Sequence, residues 1–287
     1  MGIIDRIKAV LDIRALVMEA LGLIFIVFIG GWSWMIFTES NLQNFPTSFT
    51  DAPTDKTKIM TPKFLPTSPL LVVGLIHFFL MSTLTWAGAA ISGGHFNPAI
   101  TVGFMVTQNI HLIQGALYIC AQLGGSVLGT LLFMFLVPSN FKAYAEENQI
   151  YNGLPMVDEN IEFFGFLNQT VGAFALMYVF YAVLIEKKSE NHIFGAAVGG
   201  IIGGTVMAFG PYDRNINTNK WGGNISGGAL NPARAFGPLL FKLKFGQIWI
   251  FFAAPFVGAI LAALVYKYFL HKKEVVDYDD EEIMITG

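Results

Sequence analysis

Two asparagines stand in copies of one motif, and the neighbouring residues predict what their side-chain amides do. The motif Ser-Gly-Gly-x-x-Asn-Pro-Ala occupies 92–99 and recurs without a gap at 226–233. Asparagine is a favoured N-cap, and proline suits the first helical position, where its missing N–H costs no hydrogen bond. The motifs therefore predict short helices from Asn97 to about Thr107 and from Asn231 to about Phe241. Capping uses the amide oxygen and leaves N–H groups as donors for a passing oxygen atom.

Helices of this length span only about half a bilayer. Irregular backbone at membrane depth is tolerated only where it contacts protein or lines a water-filled cavity. Two half-helices at equivalent places of two halves indicate a site near the midplane. Their positive N-terminal ends oppose cations and orient water so that a proton wire is broken. The same geometry also suits an anion, so selectivity requires a second constriction.

Arg234 is the candidate for that constriction. The first repeat has Ile100 at the equivalent position, so the repeat alone does not require arginine. A charged side chain at membrane depth is costly and indicates a functional role by default. Structural pairing of Arg234 with a carboxylate or with backbone carbonyls stays open as the alternative.

The composition places these motifs in a membrane protein. The chain is 54% hydrophobic and 13% charged, whereas soluble domains carry about 25% charged residues. The net charge of −3 argues against a nucleic-acid partner. The single cysteine, Cys120, excludes an internal disulfide and a cysteine-based metal site. No nucleophile–base pair, metal cluster or phosphate loop appears in the sequence, so we expect neither an enzyme, a metal site nor a cofactor.

The apolar runs predict an all-α membrane protein with six transmembrane helices and two re-entrant half-helices in an inverted repeat. The six predicted spans are about 14–37, 69–90, 112–137, 163–185, 193–209 and 247–270. Three spans per half is an odd number, so the two halves have opposite orientations in the membrane. One domain, 1–270, is thus predicted, with repeats at about 14–137 and 163–270 and a tail at 271–287.

Residues flanking the motifs support the repeat. Glu19 and Gly22 of the first span match Gln169 and Gly172 of the fourth, and Gly125 of the third span matches Gly258 of the sixth. Lysines and arginines are equal in number on the two sides, but those nearest the span ends favour cytosolic termini.

Three segments lie outside this pattern. Residues 1–13 are predicted either as an interfacial helix or as a solvated basic start. Residues 211–224 form a polar insert before the second motif, and the tail turns from basic to acidic at Asp277.

The paired motif resembles that of the aquaporin family (major intrinsic proteins), over about residues 14–270. The resemblance implies a homotetramer in the lipid bilayer, with one pore per subunit and cytosolic termini. It implies that Asn97 and Asn231 face each other at the pore centre, within motifs completed by Pro98, Ala99, Pro232 and Ala233. It also implies an aromatic/arginine selectivity filter composed of His77, Val206, Gly228 and Arg234, in which Val206 depends on how the fifth span is aligned.

This filter is similar to that of the plant tonoplast intrinsic subgroup, whose members pass water and often ammonia, urea or peroxide. Compared with strictly water-selective filters, Gly228 and Val206 have smaller side chains and supply one hydrogen-bond donor fewer. A wider opening of the filter is therefore expected. Glycerol channels usually have aspartate after the filter arginine, where this chain has Ala235. That difference favours water over glycerol.

The resemblance also assigns supporting roles. Glu19 is expected to accept hydrogen bonds from the re-entrant loops, and Gln169 keeps an acceptor where the family usually has a second glutamate. His95 is expected to line the cytosolic half of the pore. The family's mercury-reactive cysteine position is Gly228 here, so we expect weak inhibition by mercury.

The leading hypothesis is a passive water channel that excludes protons and ions. It also passes small neutral solutes, namely ammonia and urea, with glycerol or peroxide as further candidates. A neutral-solute facilitator with incidental water flow is one alternative. A closed-pore structural or assembly protein, with the 211–224 insert over the pore mouth, is the other. The plasma membrane and a vacuolar or other internal membrane both stay open as locations.

Overall fold

The computed structural model describes residues 11–44, 69–138, 157, 161–185, 193–215, 220–224, 226–243 and 245–271. The predicted interfacial helix up to residue 10, most of the two long polar loops and the acidic tail lie outside the described residues.

The helices follow the predicted spans closely. In chain order the elements are α1 (Ile13–Asn44), α2 (Pro69–Ala89), α3 (Pro98–Val106), α4 (Leu112–Leu136), α5 (Glu162–Phe180), α6 (Phe194–Phe209), β1 (Pro211–Asn215), β2 (Lys220–Asn224), α7 (Pro232–Lys242) and α8 (Ile248–Val265). The last turns of the fourth and sixth spans are π-helical, at Tyr181–Ile185 and Tyr266–Leu270. The first helix continues past the predicted end of its span, because no proline interrupts it before Pro46.

In the part of the chain that the structure describes, five helical segments are long and apolar enough to cross a membrane. They are Ile13–Trp34, Leu70–Ala89, Leu112–Leu136, Glu162–Ile185 and Ile248–Leu270. The fifth predicted span, α6, is apolar but has only 16 residues. Gly210 and the strand that follows end it early, and it packs along the full-length helix α2.

Helix packing follows the repeat. The first and third spans of each half pack together, as α1 with α4 and α5 with α8. The half-helices cross over, so that α3 packs against α8 and α7 against α4. Each half therefore holds the half-helix of the other.

The repeat-matched glycines lie where helices approach most closely. A Cβ atom on Gly125 would collide with the backbone of Ala20, and one on Gly258 with the backbone of Thr170. Even alanine would force these helices apart, so both crossings require glycine.

The polar insert forms an antiparallel hairpin. Strands β1 and β2 pair from Pro211↔Asn224 to Asn215↔Lys220. The backbone N–H groups of Ser226 and Gly227 both donate to the carbonyl of Phe209, at 3.1 and 2.8 Å. The hairpin thus leaves and rejoins the membrane fold at one point, as an addition to an all-α membrane region.

Candidate pore and its constrictions

Each motif asparagine caps its own half-helix. Asn97 is extended, with φ −160° and ψ 119°, and its Oδ1 accepts from the N–H of Ala99 at 2.9 Å. Oδ1 of Asn231 accepts from the N–H groups of Ala233 and Arg234, at 3.0 and 3.2 Å. Pro98 and Pro232 begin the two helices. The amide oxygens are therefore occupied by hydrogen bonds to their own helices, and the Nδ2 groups bond outside these helices.

Those Nδ2 groups cross between the repeats. Nδ2 of Asn97 donates to the carbonyl of Leu230 at 2.9 Å, and Nδ2 of Asn231 donates to the carbonyl of Phe96 at 2.7 Å. An amide carries two N–H hydrogens, so one on each asparagine remains after the crossing bond. Both asparagines line one central cavity.

Phe96 and Leu230, the residues before the two asparagines, have left-handed backbone with φ 44° and 51°. This conformation is uncommon for a residue with a side chain. Both side chains are fully buried. The ring of Phe96 fills the space beside Gly22 and Gly88, and Leu230 lies against Gly172. No sequence motif assigns a role to Phe96 or Leu230, although the matched glycines Gly22 and Gly172 were a signal for them.

Glu19 holds the first re-entrant loop. Its Oε1 accepts from Oγ of Ser92 at 2.6 Å and from the N–H of His95 at 3.0 Å. Its Oε2 accepts from the N–H of Phe96 at 2.6 Å and from Nε2 of Gln122 at 2.8 Å. Four donors converge on one fully buried carboxylate. Gln122 is a partner that no sequence motif singles out.

Gln169 holds the second loop with different chemistry. Its Oε1 accepts from the N–H of Leu230 at 2.7 Å, and its Nε2 donates to the carbonyl of Ser226 at 2.9 Å. The hydroxyl of Ser226 has no hydrogen-bond partner among the described residues. The neutral amide thus replaces a carboxylate by using one donor and one acceptor.

Three of the four predicted filter residues meet on the wall of the central cavity. They are His77, Gly228 and Arg234. His77 and Arg234 are 1% and 8% exposed. Nε2 of His77 and Nη1 of Arg234 have no hydrogen-bond partner in the described part of the chain. A structural pairing therefore does not account for the Nη1 group of Arg234.

Val206, the fourth predicted filter residue, is fully buried, and Ile202 is the residue of α6 that lines the cavity. Ile202 and Val206 lie one helical turn apart on α6. The assignment of Val206 to the filter therefore stays a prediction. Gly228 lies against the same helix with φ +58°, and a Cβ there would lie 2.6 Å from the carbonyl oxygen of Thr205. This close approach of the loop to α6 therefore requires glycine at position 228.

The central cavity is narrow. It leaves about 10 Å³ for the centre of a water-sized molecule, which is roughly the minimum that holds one water. The apolar part of its wall is made by Ile26, Leu80, Met81, Leu176, Phe180, Ile202 and Ala229. A cavity of this size presents its few polar groups to one small molecule at a time.

A wider vestibule lies on the side of the N-terminal end of α1. It has a volume of about 350 Å³ and includes Asp12, Asn109, Gln114 and Tyr118 in its wall. His95 lines both this vestibule and the central cavity. Its imidazole thus lies where the two spaces meet.

The far end of the first half-helix is also anchored. Nζ of Lys267 donates to the carbonyl of Thr107 at 3.3 Å, and the hydroxyls of Thr107 and Tyr181 are hydrogen-bonded. A cation at a helix C-terminus is favourable. No group of three or more potential metal ligands occurs among the described residues.

Comparison with known proteins gives a consistent result. The family model described as Major intrinsic protein matches residues 6–266. The chain is 34% identical over 211 residues to probable aquaporin TIP2-2 of Arabidopsis thaliana, covering 73% of this chain and 76% of that one. It is 33% identical over 198 residues to aquaporin TIP4-4 of Zea mays, covering 69% and 70%. The fold matches the X-ray structure of the aquaglyceroporin from Plasmodium falciparum with a TM-score of 0.62 at 21% identity, covering 90% of this chain and 96% of that one.

Proposed function

We propose, from the premise that the chain belongs to the major intrinsic protein family, that it conducts water passively through the cavity between its two half-helices. Membership makes it an integral membrane channel for water or small solutes, and not an enzyme.

The observation that carries the proposal is the arrangement of Asn97 and Asn231. Their side chains share one cavity, and each is held on both sides, by its own helix and by the other repeat. Donors that are fixed in this way need no reorganisation when a water oxygen arrives. The rest of the wall is largely apolar, so water binds weakly enough to leave again.

The size of the cavity favours water and ammonia over larger solutes. Space for about one water leaves no room for urea or glycerol without widening. A larger solute would have to displace apolar side chains of the wall, among them Ile202 and Leu176. We therefore propose water as the main solute, ammonia as the second, and slow passage of urea, peroxide or glycerol.

Exclusion of protons and cations is part of the same proposal. Two half-helix N-termini and the guanidinium of Arg234 are positive at the centre. Among the described residues near them, Glu19 is the carboxylate, and its oxygens are already occupied by four donors. The net field opposes cations and turns water oxygens toward the asparagines.

For assembly, we propose a homotetramer in which each chain forms one channel domain at 1–270, with repeats at 14–137 and 163–270. For location, we propose a vacuolar or other internal membrane with cytosolic termini. The likeness to TIP-type aquaporins supports the location. The lysines and arginines nearest the span ends support the orientation.

The test is stopped-flow light scattering on liposomes that contain the purified protein. An osmotic step with an impermeant solute measures water, and repeats with an ammonium gradient, urea and glycerol measure the solutes. Leu176→Trp fills the cavity wall, whereas Leu132→Trp adds the same bulk to the partly exposed face of α4. We expect water flow to be lost in the first variant and kept in the second.

Other outcomes separate the alternatives. Fast urea or glycerol uptake with slow water flow would favour the neutral-solute facilitator. Shrinkage no faster than in protein-free liposomes, from correctly folded protein, would favour the closed-pore structural role.

A further inference from the structure

Val157 is a buried residue in the long polar loop between α4 and α5. Its side chain is only 3% exposed. It belongs to an apolar cluster, the Val157 cluster, with Ala229, Ala235, Leu239, Ile250 and Phe251. Ala229 directly follows Gly228 and lines the central cavity, and Ala235 directly follows Arg234. The cluster therefore packs behind two of the predicted filter residues.

The side-chain amide of Gln247 holds the backbone of Val157. Its Oε1 accepts from the N–H of Val157 at 3.0 Å, and its Nε2 donates to the carbonyl of Val157 at 2.7 Å. Nε2 also donates to Oε1 of Glu162 at 3.0 Å. An amide carries two N–H hydrogens, so both are used. One glutamine thus satisfies both backbone groups of a single residue 90 positions away.

Gln247 is the N-cap residue of α8, but its side chain makes no capping hydrogen bond to that helix. N-cap positions favour asparagine, aspartate, serine and threonine, whose short side chains reach the first free N–H groups. Glutamine at this position gives up that stabilisation, and its amide binds the loop instead. This exchange indicates a role for Gln247 beyond starting the helix.

The helices that hold Gln247 are firmly joined. Glu162 lies in the first turn of α5, where a carboxylate is favourable. The ring of Trp249, in the first turn of α8, stacks on that of Phe166 in α5, with centroids 5.7 Å apart and planes 26° apart. Helices α5 and α8 also pack along their length. Gln247 therefore anchors the irregular segment at Val157 to a rigid pair of helices.

We propose that Gln247 is a positioning residue for solute selection, which acts by keeping Val157 in the cluster behind Gly228 and Arg234. This inference rests on the proposed function. A site stays narrow only where its supporting residues are themselves fixed. Without Val157 in place, the loop that carries Gly228 and Ala229 is free to move away from the cavity. Because that cavity holds about one water, a small displacement admits urea while water still passes.

The first test replaces Gln247 by methionine, which keeps the length of the side chain and removes the amide. Water and urea permeabilities are measured by stopped-flow light scattering on liposomes that contain the full chain. We expect the urea-to-water permeability ratio to rise about fivefold, the factor that corresponds to one ordinary hydrogen bond. An unchanged or lower ratio would overturn the inference, even with a lower thermal midpoint, because that pattern shows structural support alone.

Asn168→Leu is the matched control for loss of an amide. Nδ2 of Asn168 donates to the carbonyl of Phe164 at 2.8 Å, within α5. Asn168 lies outside the wall of the central cavity and outside the Val157 cluster. We expect the permeability ratio of this variant to equal that of the wild type. An equal rise in Asn168→Leu and Gln247→Met would overturn the inference, since loss of either amide would then suffice.

The second test changes Val157 itself. Val157→Ala leaves the backbone groups that Gln247 binds and removes methyl groups from the cluster. We expect the ratio to rise in the same direction. Because both changes act through the same contact, Gln247→Met combined with Val157→Ala should raise the ratio no further than the larger single change. Independent, multiplying effects would overturn the inference.

The outcomes also separate this inference from the proposed function. If Gln247→Met does not fold, Val157→Ala decides alone, and an unchanged ratio there refutes the positioning role while the water channel stands. Water flow through the wild-type protein no faster than through protein-free liposomes would instead contradict the proposed function.

Discussion

The side-chain amide of Asn231 donates to the backbone carbonyl of Phe96 at 2.7 Å, across the boundary between the two repeats. The reciprocal bond joins Asn97 to Leu230 at 2.9 Å. The two half-helices are therefore locked to each other beside the central cavity, and each asparagine both lines that cavity and links the two repeats.

This link predicts the effect of Asn231→Asp. Aspartate caps a helix as well as asparagine does, so the half-helix should form. The carboxylate cannot donate to Phe96, and two oxygen atoms would then face each other. We expect a loss of about 1–3 kcal/mol in stability, seen as a lower unfolding midpoint in detergent, and weaker exclusion of cations in liposome flux assays. An unchanged midpoint would show that the crossing bond contributes little.

Glu19→Gln tests the first loop clamp. Four donors converge on the carboxylate of Glu19. In glutamine an NH2 group replaces one of the two carboxylate oxygens, and it presents hydrogens to these donors where an acceptor is needed. At least one donor must lose its partner, so we expect a loss of about 1–3 kcal/mol in stability and reduced water permeability. Gln169→Ala, which removes one donor and one acceptor, provides the comparison for the second clamp. Wild-type permeability in Glu19→Gln would contradict the assignment.

Gly22→Ala tests the space that Phe96 occupies. A Cβ at Gly22 would overlap the ring of Phe96, whereas a Cβ at Gly124 would meet nothing within 4 Å. We expect Gly22→Ala to lower stability by about 1–3 kcal/mol through overpacking. Gly124→Ala should be neutral or stabilising by up to about 1 kcal/mol, as for a helical glycine. Equal thermal midpoints for the two variants would argue against this packing.

Mercury should inhibit the channel only weakly. The single cysteine, Cys120, is exposed on α4 and lies outside the wall of the central cavity. We expect stopped-flow water permeability to survive mercuric chloride, with Cys120→Ser behaving like the wild type. Strong inhibition that Cys120→Ser abolishes would be the opposite result.

Replacing residues 211–224 by two glycines tests whether the hairpin has a role in conduction. The carbonyl of Phe209 accepts from Ser226 and Gly227, so the two ends of the insert already lie together. A short link should therefore leave the filter loop in place, and we expect water permeability to be retained. Loss of tetramers, measured by size-exclusion chromatography with light scattering, would instead support an assembly role.

Much of this architecture could be predicted because its causes are local. Apolar length marked the spans, asparagine followed by proline marked the start of each half-helix, and the repeat marked both as equivalent. Family membership and the fold are confirmed by the comparisons. The early end of α6 also has a local cause, because Gly210 and Pro211 follow it directly.

The remaining features depend on contacts between residues far apart in the chain. Gln122 reaches Glu19 across 103 positions, and Asn231 reaches Phe96 across 135. Nothing in the immediate sequence around these residues specifies such partners.

The choice between Ile202 and Val206 at the cavity depends on how α6 is rotated against α2, which helical periodicity does not determine. By itself, then, the sequence determined the spans, the capped half-helices and the family, because capping and hydrophobicity act over a few residues. Only the tertiary structure decided which groups meet on the wall of the central cavity, because that outcome requires packed helices and completed hydrogen bonds.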